Sequence, residues 1–263
     1  MHSYLMESAD EATRLELKTN DEESRAQLLM VGIEPGMNVL DAGAGTGAVA
    51  RVMASLVGRE GTVTALDQSE ARLAHGRALA QGIPNIHFVE GDLYDPPLSD
   101  ATFDLVFSRF VFEYLREPEM AVQSLQRLVK PGGKVVVGDL DGQGLRHYPM
   151  TAEFEAKLKL VQGALSRHLD PYVGRKLFHL LRTAGLVEVR AHVLPYAVFA
   201  GAAPEEALQN WTQKFSTART ALESVLGSRA MYDTFASEFL AMLRSPDTFS
   251  YSTLIYVEGV RRS

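Results

Sequence analysis

Met37-Asn-Val-Leu-Asp-Ala-Gly-Ala-Gly-Thr-Gly-Ala48 is the stretch on which the fold turns. The apolar run at Met37, Val39 and Leu40 predicts a strand buried on both faces, as in a parallel sheet. It closes on an acid, Asp41, and Gly43, Gly45 and Gly47 then alternate through a tight turn. Ala48 to Leu56 consists of good helix formers, so the turn opens a helix. Strand, glycine turn and helix N-terminus together let backbone approach a ligand closely, as nucleotide-type cofactor sites require.

Two cofactors fit this pattern. Gly43-x-Gly45-x-x-Ala48 satisfies the dinucleotide fingerprint G-x-G-x-x-G/A, in which a pyrophosphate rests on the helix end. Val39-Leu-Asp-Ala-Gly-Ala-Gly-Thr-Gly47 also resembles, nearly residue for residue, the first motif of the class I (Rossmann-like) S-adenosylmethionine-dependent methyltransferase family. Asp41 separates the two. A carboxylate two residues before the first glycine repels a pyrophosphate but suits a cofactor carrying an ammonium and a sulfonium. The resemblance implies that Asp41, Gly43, Ala44 and Gly45 lie against S-adenosylmethionine.

The next β-rich run, Gly61-Thr-Val-Thr-Ala-Leu-Asp67, ends on an acid at the spacing expected for a ribose ligand. Nicotinamide enzymes use the same device, so Asp67 does not separate the cofactors, and Gln68 would border the adenine. Ser69 beside it is a ready helix N-cap. In Ile86-His-Phe-Val-Glu-Gly-Asp-Leu93, the resemblance implies that Asp92 takes the adenine amine and the Leu93 N–H a ring nitrogen. Acids after strands one, two and three favour S-adenosylmethionine. Asp95-Pro96-Pro97-Leu98 resembles an amine-gripping signature, but it precedes the fourth strand and lacks the terminal aromatic, so it reads as a surface turn.

The fourth strand, Thr102 to Ser108, brings Ser108 and Arg109 to its C-terminal end, beside the transferred methyl by family likeness. A serine where metal-dependent relatives carry an acid argues against a metal. Pro118 to Lys130 is an amphipathic helix stopped by Pro131-Gly-Gly133, and Leu128 to Val137 again resembles the family. Past the fifth strand come Asp139, Asp141, His147 and Tyr148. Only His147 among them has an ordinary pKa near neutrality, which makes it the candidate catalytic base, with Asp139 or Asp141 to orient it.

Upstream, about Ser8 to Val31 reads as two short helices broken near Lys18–Asp21. The resemblance implies a lid, with Tyr4 over the cofactor and Arg14 facing its carboxylate; a solvated amphipathic helix is the alternative. Downstream lie a helix over Thr151–His168, a break at Asp170–Arg175, a helix to Ala184 and a strand over Gly185–Val193. A helical stretch, Pro204–Arg244, and a final strand, Phe249–Val260, follow. The helical stretch carries Trp211, Phe215, Tyr232, Phe235 and Phe239, a stripe that suits core packing first and a substrate lid second.

With 263 residues, 46% hydrophobic and 22% charged, the chain can bury one large α/β core. Lys+Arg 26 against Asp+Glu 33 gives a net charge of −7 and no basic run, so nucleic acid is a poor partner. The absence of cysteine removes disulfides, thiolate zinc sites and cysteine nucleophiles. No signal peptide and no bilayer-length apolar run is visible, so the expected location is the cytoplasm.

The expected architecture is a single domain over 1–263, a doubly wound seven-stranded and mostly parallel sheet, with its last strand antiparallel by family likeness. Residues 1–31 form a helical lid, 37–140 the cofactor core, and 141–184 and 204–244 the helical acceptor side. The resemblance implies methyl transfer to a small-molecule acceptor, driven by in-line alignment. A cofactor-holding protein or a cyclase on the same fold, and a nicotinamide oxidoreductase, are the alternatives. Oligomeric state, including a homodimer, is left open by the sequence.

Overall fold

Strand β1 (Asn38–Ala42) lies in the middle of the sheet, and four of its five residues are buried. The computed structural model describes residues 15–16, 19–142, 146–166 and 168–263. Beside β1 run β2 (Thr62–Asp67) and β4 (Phe103–Arg109), both parallel to it, with Asp41 opposite Ala65 and Phe107. β3 (Ile86–Glu90) extends the sheet beyond β2, and β5 (Val129–Leu140) beyond β4. The chain therefore reverses its winding between β1 and β4, which opens a crevice at the carboxyl ends of those strands.

β8 (Phe249–Val260) is antiparallel to β5 and keeps the bounds its alternating pattern predicts. β7 (Val187–Ala200) covers the other edge of β8 and runs past Val193, because two register shifts let it follow β8 to Phe249. The seven expected strands are joined by an eighth among the described residues. This is β6 (Arg146–Tyr148), which takes over the edge of β8 where β5 leaves it.

Helices cover both faces. α1 (Asp21–Met30) is capped by Asn20, whose side chain accepts from the Glu23 N–H at 2.9 Å. With α2 (Ala48–Val57) it buries Leu28, Met53 and Val57 against Val39, Phe107 and Tyr256. α3 (Glu70–Leu79) is capped by Ser69, as its sequence position suggests. On the other face α4 (Pro118–Leu128), with proline in its first turn, and α6 (Leu177–Thr183) pack Val122, Leu125 and Leu181 on Leu40, Val106 and Val137.

The helical stretch Pro204–Arg244 is two helices, α7 (Glu205–Leu226) and α8 (Arg229–Arg244). Gly227 ends the first in the left-handed region at φ 91°, and the Ser228 side chain caps the second. With α5 (Ala152–Leu165) these helices build a separate aromatic core from Phe154, Phe215, Phe235 and Phe239. Among the described residues, no helix is long and apolar enough to cross a membrane, and no cluster of acids and histidines could hold a metal.

Candidate active site

A cavity of about 670 Å3 opens at the carboxyl ends of the parallel strands, where the winding reverses. One half is walled by the glycine turn and the strand-end acids, the other by α5, α7, α8 and Tyr196 of β7. Of the residues singled out in the sequence, Asp41, Gly43, Ala44, Gly45, Asp67, Gln68, Asp92, Leu93 and Arg109 all line it. Tyr4 and Arg14 lie outside the described residues. From the same segment Leu15 and Thr19 reach the cleft, while Glu16 accepts from the Thr46 hydroxyl at 2.5 Å and pairs with Arg51.

The turn needs its glycines for backbone reasons. Gly43 has φ 82°, and a Cβ there would stand 2.3 Å from Val111 Cγ2. The turn's amides are spent within the fold. Gly43 and Ala44 both donate to the Leu66 carbonyl, at 2.8 and 2.9 Å, and Gly45 donates to Asp67 Oδ2 at 2.7 Å. A pyrophosphate laid here would meet two carboxylates and find these donors engaged, which weighs against the dinucleotide alternative.

Asp41 is 3% exposed, and its Oδ2 has no hydrogen-bond partner among the described residues. Burial raises its pKa to about 7, opposed by Arg109 and the Ala50 backbone N–H and reinforced by the like charge of Asp67. Asp67 is fully engaged by contrast. Its Oδ1 accepts from the Ser69 N–H at 2.9 Å and from Arg72 Nε and a terminal guanidinium nitrogen at 3.2 and 2.9 Å. Its orientation is thereby set, while a carboxylate's spare lone pairs still allow it to accept from a ligand hydroxyl.

Gln68 and Asp92 are exposed on the cleft rim, and Asp92 Oδ1 accepts from the Tyr94 N–H at 2.9 Å, with Leu93 buried behind. The Tyr94 hydroxyl accepts in turn from the amides of Arg116 and Glu117, at 3.1 and 3.2 Å, fixing that loop.

Three expectations need correction. Ser108 does not reach the cleft: it is wholly buried and donates to the Ala42 carbonyl at 2.8 Å, stitching β4 to β1. Arg109 is not among them: it lines the cleft, with its guanidinium tied to α1 by donation to Gln27 Oε1 at 3.1 Å and Ser24 Oγ at 3.3 Å. His147 is not in the cleft wall. Its β6 position directs it into the aromatic core, 6% exposed, with Nδ1 2.8 Å from Ser250 Oγ and its ring edge-on to Phe239 at 4.8 Å. Nε2 is buried without a partner among the described residues, and burial lowers the ring's pKa to about 4, so it neither meets an acceptor nor titrates near neutrality.

Asp139 and Asp141 do not orient His147 either. Asp139 is buried under the short turn of helix at Phe112–Tyr114, where it accepts from the Glu113 N–H at 3.0 Å. Asp141 forms a two-pronged pair with Arg175, at 2.6 and 3.0 Å.

The wall built by α5, α7 and α8 is only partly legible in the sequence. Phe215, Phe235 and Phe239 are buried core and cleft wall at once, and Trp211, 4.6 Å from Phe239, has Lys214 over its ring at 4.3 Å. Glu113, Tyr114, Gln162 and Tyr196 also face this half, and nothing in their local sequence marks them.

Residues 40–137 match the family described as a methyltransferase domain. The chain is 35% identical over 123 residues to the ubiquinone/menaquinone biosynthesis C-methyltransferase of Ectopseudomonas mendocina, covering 46% of this chain and 48% of that protein. It is 34% identical over 106 residues to the demethylmenaquinone methyltransferase of Staphylococcus aureus, covering 40% and 44%. The chain spans about half the length of the relatives it matches. Among solved structures, Haemonchus contortus phosphoethanolamine N-methyltransferase 2 in complex with S-adenosyl-L-methionine superposes with a TM-score of 0.63 at 16% identity, covering 100% of this chain and 61% of that one. A [4+2]-cyclase superposes with a TM-score of 0.57 at 16% identity, covering 92% and 81%. These structural likenesses speak to the fold.

Proposed function

We propose that the chain is a class I S-adenosylmethionine-dependent methyltransferase, a reading supported by the match of residues 40–137 to the methyltransferase-domain family, and that it transfers a methyl group from S-adenosylmethionine to a small, largely apolar acceptor. The observation that carries this reading is the pairing, in one cleft, of a glycine turn flanked by Asp41 and Asp67 with an aromatic chamber. The cofactor fits the cradle. Asp41 offers a buried carboxylate oxygen without a partner among the described residues, the complement of an ammonium, while Asp67 would take the ribose and Asp92 with Leu93 the adenine.

When bound, the cofactor supplies a methyl group already activated by its sulfonium. The protein's task is then alignment and exclusion of water. Phe110, Tyr196, Trp211 and Phe215 offer flat apolar surface to an acceptor, and Glu113, Tyr114 and Gln162 offer polar contacts on the same wall. The quinone-pathway relatives, by their names, act on carbon, which supports a ring-bearing acceptor here. The reading includes a cytoplasmic location and no nucleic-acid partner; the net charge of −7 supports the second part.

The test is transfer of label from methyl-labelled S-adenosylmethionine to apolar metabolites of an extract. Labelled product supports the reading. Tight cofactor binding without transfer to any acceptor would favour the holding protein or cyclase.

A further inference from the structure

Asp41 sits where charge decides binding. Its carboxylate is 3% exposed, lines the cleft and leaves Oδ2 without a hydrogen-bond partner among the described residues. A charge so placed is costly unless paired. Among the described residues, the arginines nearby are committed elsewhere. Arg109 of β4 is fixed to Ser24 and Gln27 of α1, and Gln27 also accepts from the Tyr256 hydroxyl of β8 at 2.7 Å. Arg72 of α3 is paired with Asp67, and Arg51 of α2 with Glu16. Asp67, at the end of the neighbouring strand, adds a like charge. Across the cleft stand Glu113 and the exposed His168. The first turn of α2 contributes the Ala50 N–H, a backbone donor that favours the ionised form.

We propose that the cofactor's ammonium replaces a proton on Asp41, so that binding releases this proton to solvent and the cleft takes its ligand by exchange of one positive charge for another. This rests on the cofactor reading above. The charge bookkeeping closes: a neutral acid loses H⁺ to buffer, and the carboxylate left behind is neutralised by the incoming ammonium. Affinity is then strongest at alkaline pH and weakens in acid, where the ammonium must compete with the proton. The midpoint is set by burial and by Asp67, which hold the acid's pKa at about 7. The device makes Asp41 a determinant of specificity for the amino-acid end of the cofactor rather than for its nucleoside.

Isothermal titration of the whole chain with S-adenosylhomocysteine, run at pH 6 in buffers of different ionisation enthalpy, counts the protons. The expected result is release of nearly one proton at pH 6, falling toward zero at pH 8.5, with affinity dropping roughly tenfold per pH unit well below pH 7. 5′-Methylthioadenosine, which lacks the amine, is expected to bind with no release. Asp41→Asn should bind S-adenosylhomocysteine more weakly and release no proton, while His168→Gln keeps the wild-type release and so removes the exposed histidine as its source. Pursuing the pH dependence of wild-type affinity alone tests the idea even if Asp41→Asn does not fold. Binding of equal strength from pH 5.5 to 8.5, with the same heat in every buffer, would overturn the proton exchange and leave the cofactor reading standing. No binding at any pH would overturn both.

Discussion

The backbone N–H of Gly45 donates to Asp67 Oδ2 at 2.7 Å, locking the turn after β1 to the end of β2. The acid expected to face a ribose is thus also a structural tie, and its other oxygen holds Arg72 in an ion pair whose side chains are 7% and 10% exposed. On the proposed reading, binding and folding share one carboxylate.

Replacing Asp67 therefore has two consequences. Asp67→Ala strands a buried guanidinium, and breaking such a pair from one side costs about 3 kcal/mol of stability. Urea unfolding measures this, and the double variant Asp67→Ala/Arg72→Ala should recover part of it. S-adenosylhomocysteine affinity should fall in both variants. Recovery of stability together with affinity would mean that Asp67 serves only the fold.

Gly43→Ala forces a side chain into the left-handed region and against Val111 at 2.3 Å. The expected loss is on the order of 2 kcal/mol. Val111→Ala should relieve the clash but not the backbone strain, so the double variant recovers only part of the loss in a denaturant titration.

His147 predicts a pH effect on stability and none on chemistry. Its pKa is lowered by burial from 6.5 to about 4, so the folded state favours the neutral ring. That contribution is fully present above pH 6.5 and is lost as the pH falls toward 4. Between those values His147→Phe should lose stability less steeply than wild type. With an acceptor in hand, its kcat should match wild type at pH 7.5; a large drop in kcat without unfolding would restore the base role.

Tyr256 is fully buried, and its hydroxyl donates to Gln27, the residue that also holds Arg109. Tyr256→Phe should cost about 1–2 kcal/mol, the scale of a buried hydrogen bond whose acceptor loses a partner. Burial pushes the phenol up to about 12, so its stabilising effect is complete below pH 10 and disappears as the pH climbs toward 12. Absorbance at 295 nm in alkali would follow one tyrosine titrating late in wild type and not in the variant.

The aromatic chamber proposed to receive the acceptor gives a separable prediction. Trp211→Ala removes flat surface from its wall without touching the glycine turn. The acceptor's KM should rise at least tenfold while S-adenosylhomocysteine affinity is unchanged.

The part of this protein that its sequence determined is the part governed by local demands. Alternating glycines at Gly43, Gly45 and Gly47 announce positive φ, and all three adopt it, at 82°, 57° and 71°. Asp41, Asp67 and Asp92 follow three apolar strands, and parallel strands of known direction carry whatever follows them to one end of the sheet. The alternating run from Phe249 to Val260 could only be a strand with one protected face, and it keeps those bounds.

Tertiary structure decided where the loop residues after β5 point. His147 and Ser250 are 103 residues apart, and their pairing through β6 and β8 turns the imidazole into the aromatic core instead of the cleft. Ser108 and Arg109 stand at the predicted strand end, yet one faces the Ala42 carbonyl and the other reaches back to α1. The chamber wall joins Tyr114, Gln162, Tyr196 and Lys214 from separate elements, and no spacing along the chain records that meeting. Backbone conformation answers to neighbours in sequence, whereas a side chain's surroundings are set by whichever distant strand or helix completes the packing against it.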